Sequence, residues 1–84
     1  MEGVNAWNLD GEEKIEKTFL FKDFAEAIAF VNKVGAIAES EGHHPDIFIF
    51  DFKKVRTTLT THAIGGLSEN DFILAAKIDE ILRN

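Results

Sequence analysis

The sequence predicts an α+β fold, a two-layer sandwich in which helices pack on one face of a four-stranded antiparallel sheet. Three observations support this class. The elements follow the order strand, strand, helix, strand, strand, helix. Short turns join the consecutive strands, as in antiparallel pairing. Each helical segment carries one apolar stripe, which one face of a sheet can bury. The chain has 84 residues, and a single domain over residues 1–84 is expected.

Two strands are predicted before the first helix. Residues 6–9 form a short edge strand that ends before a turn at Gly11. Residues 14–21 form the second strand, because Ile15, Phe19 and Phe21 share one face while polar side chains occupy the other.

A helix follows from about residue 24 to Glu41. Asp23 and Glu26 have the spacing of a capping box, which marks a helix start. Gly42 is a suitable stop, because glycine accepts the left-handed backbone of a helix C-terminus. The apolar residues that recur at helical spacing are Phe24, Ala27, Ile28, Val31 and Val34.

The second half of the chain predicts a hairpin. Residues 47–52 are almost wholly apolar, which indicates a central strand buried on both faces. A turn near Lys53 and Lys54 leads to residues 55–60, where β-branched side chains favour a strand.

The final helix is predicted to begin after the Gly65–Gly66 break. Ser68 is the expected N-cap, with Asp71 in the first turn, where a negative charge is favourable. The predicted buried face consists of Phe72, Ala75, Ile78 and Leu82.

Composition excludes several functions. With nine basic and fifteen acidic residues, the net charge of −6 argues against direct nucleic-acid binding, which depends on Lys and Arg. The chain has no cysteine, no leader-like pattern in its first twenty residues and no apolar run near the roughly 20 residues of a membrane span. A soluble, cytoplasmic protein without membrane contact is expected.

The three histidines are the main functional signal. His43 and His44 precede Pro45, and His62 follows the last predicted strand. If residues 47–52 pair with residues 55–60 as a hairpin, the start of one strand lies beside the end of the other. The histidines should therefore converge at one end of the sheet. Pro45 also favours extended backbone at His44, so neighbouring imidazoles would point to opposite sides.

Such a cluster has three interpretations. It can transfer protons, with one imidazole as acid and another as base. It can bind zinc, although an adjacent His-His pair on an extended chain chelates poorly and no His-x-x-x-His spacing occurs. It can also be structural, with each ring held by hydrogen bonds. The residues alone leave these three open.

Other side chains are weaker candidates. Glu39 is able to orient an imidazole or accept a substrate N–H, but glutamates at such positions are commonly solvated. Asp71 is able to reach toward His62, yet its position in a first helical turn is a sufficient structural reason for it. Trp7 either closes a ring-binding pocket or fills the edge of the core.

These residues resemble the motif of the pterin-4a-carbinolamine dehydratases. In this sequence the motif has Glu39, then His43-His44-Pro45, then Phe52, His62 and Asp71. Neighbouring stretches match as well, and the resemblance extends from about Trp7 to the C-terminus. The matching stretches are residues 21–24, 60–62 and 66–72.

The resemblance implies an enzyme that removes water from 4a-hydroxytetrahydropterin to give quinonoid dihydropterin, recycling the pterin cofactor of aromatic amino acid hydroxylases. It implies the α+β fold described above, a homodimer or homotetramer, and neither a metal nor another cofactor. Some animal members also act as dimerisation cofactors for a homeodomain transcription factor. The alternative function is therefore a non-catalytic protein-interaction module on the same fold, and a zinc hydrolase is third.

Roles for individual residues follow from the resemblance. His43 and His62 match the acid–base pair, whose roles exchange with the stereochemistry of the 4a carbon. Substrate contacts are expected from the following residues: His44, Glu39, Pro45, Thr61, Trp7 and Asp71.

Three departures from the family pattern are visible. Members usually carry a helix before the Trp7 region, for which this chain starts too late, so the core cover on that side is expected to differ. Gly42 stands where an acidic residue is common. Six residues separate Pro45 from Phe52 where some members have five, which predicts a bulge or a longer turn.

Overall fold

The structure is a computed structural model that describes residues 7–10, 14–60 and 69–82. It confirms the predicted α+β class and order of elements. Gly11, the Gly65–Gly66 pair and the expected cap Ser68 lie outside the described residues. The elements are β1 (Asn8–Asp10), β2 (Lys14–Leu20), α1 (Phe24–Glu41), β3 (Asp46–Phe50), β4 (Lys54–Leu59) and α2 (Glu69–Ile81).

The four strands form one antiparallel sheet in the order β1-β2-β4-β3. The predicted hairpin of β3 and β4 is confirmed, but β3 is an edge strand, so the prediction of a central strand buried on both faces is wrong. The side chain of Phe48 is 52% exposed. Its ring stacks on that of Phe50 with centroids 5.5 Å apart, and the Arg56 guanidinium lies 5.1 Å from the Phe48 centroid. The two rings are stabilised on the open face of the sheet because they stack on each other and contact a cation.

The turn of this hairpin begins earlier than predicted. Residues 51–53 connect Phe50 to Lys54, and Phe52 belongs to the turn rather than to β3. Asp51 and Phe52 both have positive φ, 51° and 48°. The ladder from Asp46↔Thr58 to Phe50↔Lys54 is continuous. The additional residue of the motif is therefore accommodated by a longer turn and not by a bulge.

The core lies between the inner face of the sheet and the two helices. Phe19 is central to it: its ring lies 4.7 Å from the Phe30 centroid and meets Trp7 edge-on at 6.0 Å. The buried core residues are Trp7, Ile15, Phe19, Ala27, Phe30, Val34, Val55, Leu59, Leu74, Ala75 and Ile78.

The predicted buried faces of both helices need correction. In α1 the buried positions are Ala27, Phe30, Val34 and Ala38, whereas the predicted Phe24 and Ile28 are exposed. In α2 Ala75 and Ile78 are buried as predicted and Leu74 joins them, but Phe72 and Leu82 are exposed. The apolar surface of each helix is wider than the sheet covers, so periodicity alone could not locate the buried centre.

Both ends of α1 are capped by local hydrogen bonds. At the start, the backbone N–H of Glu26 donates to Asp23 Oδ1 at 2.9 Å, and the N–H of Lys22 donates to Glu26 Oε1 at 2.8 Å. At the end, Gly42 adopts a left-handed conformation with φ 66° and ψ 29°. The N–H groups of Gly42 and His43 donate to the carbonyls of Glu39 and Ala38, which is the Schellman pattern. The helix end predicted at Gly42 is thereby confirmed.

Two glycines of α1 and its cap should respond to alanine in opposite ways. Gly42→Ala is expected to lower the free energy of unfolding by about 1–2 kcal/mol, because a Cβ is unfavourable in a left-handed conformation. Gly35→Ala is expected to raise it by up to about 1 kcal/mol through helix propensity. A Cβ at either position meets no atom within 4 Å, so both effects are conformational. Urea denaturation would measure them, and equal signs would contradict the expectation.

Candidate active site

His43 lies where α1 ends and the chain turns toward β3. Its backbone N–H closes the Schellman bond to Ala38, so the helix cap itself fixes the position of its Cα. The imidazole Nε2 lies 2.5 Å from Asp71 Oδ1, while 17% of the side chain remains exposed. The ring is therefore held on one side and accessible on the other.

Asp71 is an expected member of the site, but its partner was not predicted. It is the third residue of α2 and is fully buried, so its carboxylate requires compensation. The N-terminus of α2 and the His43 ring both supply it, since a helix N-terminus favours a negative charge. Asp71 was expected as a substrate contact or a neighbour of His62. The structure brings it to His43, 28 residues away, and no pattern in the sequence indicates this pairing. The expected approach of Asp71 to His62 stays a prediction, because His62 lies outside the described residues.

His44 has a carboxylate partner of its own, different from that of His43. Its Nε2 lies 2.6 Å from Glu39 Oε2, and the two side chains are 63% and 78% exposed. The possibility that Glu39 orients an imidazole is thus matched by the geometry, with His44 as the ring. The two histidines form two imidazole–carboxylate pairs, one buried and one in solvent.

Trp7 is placed away from these pairs. Its indole N–H donates to Asp79 Oδ2 at 3.0 Å, and Lys17 Nζ donates to the other oxygen of that carboxylate at 2.8 Å. Asp79 follows Asp71 by eight residues along α2, a rise of about 12 Å. Trp7 is also one of the buried core residues. The structure therefore favours the core-filling interpretation of Trp7, and we leave this residue out of the proposed site.

Three candidates remain, of which the structure describes Pro45 but not Thr61 or His62. Pro45 is half-buried and directly precedes β3. Thr61 and His62 lie outside the described residues. β4 ends at Leu59, and its Thr58 pairs with Asp46 at the start of β3. The end of β4 and the His43–Pro45 segment are therefore at the same end of the sheet, as the hairpin predicted.

Within residues 7–10, 14–60 and 69–82, no three side chains of His, Cys, Asp or Glu are grouped so that they could hold a metal ion. Neither helix there has the length and apolarity to cross a membrane.

Comparison with known proteins agrees with the fold and the motif. A sequence model of the family described as pterin 4 alpha carbinolamine dehydratase matches residues 1–81. A relative from Trichormus variabilis, named provisionally as a pterin-4-alpha-carbinolamine dehydratase, is 55% identical over 78 residues, which cover 93% of this chain and 82% of the relative.

Two solved structures are also similar. A transcriptional coactivator/pterin dehydratase from Brucella melitensis has a TM-score of 0.83 and 37% identity, covering 92% of this chain and 82% of the other. A pterin dehydratase-like protein identified as a RuBisCO assembly factor of the alpha-carboxysome has a TM-score of 0.75 and 27% identity, covering 90% and 88%. The chain belongs to the pterin-4a-carbinolamine dehydratase family.

The two adjacent histidines should differ in their effect on stability. His43→Ala is expected to lower the free energy of unfolding by about 1–3 kcal/mol, because it removes a hydrogen-bond partner from a fully buried carboxylate. His44→Ala is expected to change it by less than about 0.5 kcal/mol, because its ion pair is exposed. Urea denaturation at pH 7 would compare them, and equal losses would show that the His43–Asp71 contact does not stabilise the fold.

Proposed function

We propose that this protein dehydrates 4a-hydroxytetrahydropterin to quinonoid dihydropterin by histidine general acid–base catalysis. The observation that carries the proposal is the His43–Asp71 pair: a partly accessible imidazole held by a buried carboxylate at the end of the sheet. Membership of the dehydratase family supports the reaction and the pterin substrate.

The reaction needs two proton transfers. The hydroxyl on the tetrahedral 4a carbon leaves as water when an acid protonates it, and a base removes a proton from a ring N–H. The electrons of that N–H bond form the new double bond, so one water molecule is the only other product. General acid–base help of this kind contributes about 10² to 10⁴ in rate.

His43 and His62 are the proposed acid–base pair. His62 lies two positions after Thr60, the last described residue after β4. A chain of this length spans at most about 7 Å, which supports a position for His62 at the same end of the sheet as His43. A pair of imidazoles there supplies both transfers, and their roles exchange with the stereochemistry of the 4a carbon.

Substrate binding is assigned to the residues around this pair. His44 is exposed and oriented by Glu39, so its ring can hydrogen-bond to the pterin without a large desolvation cost. Pro45 and Thr61 are proposed to line the site beside it. Asp71 is moved from substrate contact to partner of His43, because its carboxylate is fully buried.

Activity should depend on His43 and His62. Purified protein, treated with a chelator, is expected to accelerate decay of the 4a-hydroxypterin that an aromatic hydroxylase generates. His43→Gln and His62→Ala should each lower kcat by about 10² or more. Leu9→Gln, a change at an exposed residue of β1 at the other side of the sheet, is the control and should retain full rate. Unchanged rates in both histidine variants would refute the assignment.

Assembly into a homodimer or homotetramer is the second part of the proposal. Phe24, Ile28, Val31 and Gly35 fall within about 60° of one another around α1. The side chains of Phe24 and Ile28 are exposed there, on the flank of α1 opposite Glu26 and Lys33. β3 is an edge strand, whose unpaired backbone groups are able to accept another strand. An apolar helix flank and an open strand edge are features that a second copy can cover.

Sedimentation would test this assembly. Ile28→Glu is expected to lower the mass of the wild-type oligomer, because burying a charge in an apolar interface is unfavourable. The matched control Leu9→Glu places the same charge at an exposed apolar residue of β1 and should leave the mass unchanged. A wild-type mass of 9.4 kDa, that of one chain, at micromolar concentration would contradict the assembly.

The alternative function is a protein-interaction module. The exposed α1 flank favours it, and one similar structure is described as an assembly factor and another as a coactivator. Absence of any acceleration by well-folded protein would favour this alternative over the enzyme. The cytoplasmic location expected from the sequence stays a prediction.

A further inference from the structure

We infer that Asp71 fixes the tautomer of His43 and thereby makes Nδ1 the ring atom that exchanges a proton with the substrate. The inference rests on the proposed acid–base role of His43. Asp71 acts in it as a positioning residue, since it reaches the reaction only through the imidazole.

The contact between the two side chains determines which nitrogen carries the proton. An ionised carboxylate only accepts hydrogen bonds, so at 2.5 Å from Asp71 Oδ1 the proton belongs to His43 Nε2. The ionised form of Asp71 is favoured by its place in the first turn of α2, where the helix N-terminus is positive. A neutral His43 is then protonated at Nε2 and carries its lone pair at Nδ1.

The surroundings of His43 agree with this assignment. Asp71 is fully buried, so the Nε2 side of the ring faces the protein interior. The exposed 17% of the side chain is what a substrate can approach. Among the described residues, Nδ1 has no hydrogen-bond partner, whereas Nε2 has Asp71. The backbone N–H of His43 donates a hydrogen bond in the cap of α1, so the cap fixes the Cα from which the ring extends.

The same atom serves both catalytic roles. As a base, Nδ1 accepts the proton of a substrate N–H, and the imidazolium that forms is stabilised by the adjacent Asp71 carboxylate. As an acid, the imidazolium gives the Nδ1 proton to the leaving hydroxyl and returns to the Nε2–H tautomer. A carboxylate that orients and charges an imidazole in this way is the arrangement found in Ser-His-Asp hydrolases.

The Asp71→Asn substitution tests the inference most sharply. An amide keeps the size of the side chain but can donate its own N–H to Nε2, which leaves the proton of His43 on Nδ1. Asp79→Asn is the matched control: it changes the other buried carboxylate of α2, which binds Trp7 and Lys17 and does not touch His43.

Histidine labelled with ¹⁵N gives the first readout, because long-range ¹H–¹⁵N spectra distinguish a protonated from an unprotonated ring nitrogen. When the ring is neutral, His43 of the wild type and of Asp79→Asn should be protonated at Nε2 alone. Asp71→Asn should shift the proton to Nδ1. The His43 signals are assigned by their loss in His43→Gln.

Steady-state kinetics give the second readout. Asp71→Asn should lower kcat by about 10² or more while KM stays within about threefold, since the substrate contacts are retained. Asp79→Asn should keep the wild-type kcat. A wild-type His43 protonated at Nδ1, or an Asp71→Asn protein with unchanged tautomer and kcat, would overturn the inference. A wild type without dehydratase activity would refute the proposed function, whereas the spectra would still decide the tautomer.

Discussion

The contact between His43 and Asp71 joins the end of one helix to the start of the other, and the candidate site depends on it. It connects the Schellman turn of α1 to the first turn of α2, two segments whose backbones are each fixed by local hydrogen bonding or helix geometry. A second link, between Glu41 and Lys77, joins the same two helices at 2.5 Å but is partly exposed. Because Asp71 is fully buried, losing the His43 contact removes part of the compensation of a buried charge, which is more costly than losing a surface pair.

The two buried carboxylates of α2 have different partners. At one end of α2, Asp71 holds the imidazole that is proposed to react. Two turns later, Asp79 holds Trp7 and Lys17 and so ties α2 to the first two strands. Both carboxylates are buried and paired, but only Asp71 contacts a ring that solvent can reach. This difference makes Asp79→Asn a useful control for Asp71→Asn, since both substitutions replace a buried aspartate of α2 by asparagine.

The adjacent histidines show how one local feature produces two environments. His43 and His44 lie between the left-handed Gly42 and the start of β3 at Asp46, and their rings meet different carboxylates. One imidazole meets a buried carboxylate and the other meets an exposed one. The apolar flank of α1 lies apart from these residues, so the proposed assembly and the proposed catalysis can be tested by separate mutations.

The sequence by itself determined the order of the elements, the caps of α1 and the end of the sheet at which His43 and His44 lie, because these depend on residues close in the chain. Asp23 and Gly42 act through local hydrogen bonds, and the hairpin brings its own ends together. The edge position of β3, the exposed flank of α1 and the partner of His43 were decided by tertiary structure. They depend on which strand lies beside which and on how two helices cross a sheet, so residues 28 positions apart meet without any periodic signal. An apolar run such as residues 47–50 also looks the same whether neighbouring strands or stacked cations cover it, and only the folded sheet distinguishes the two.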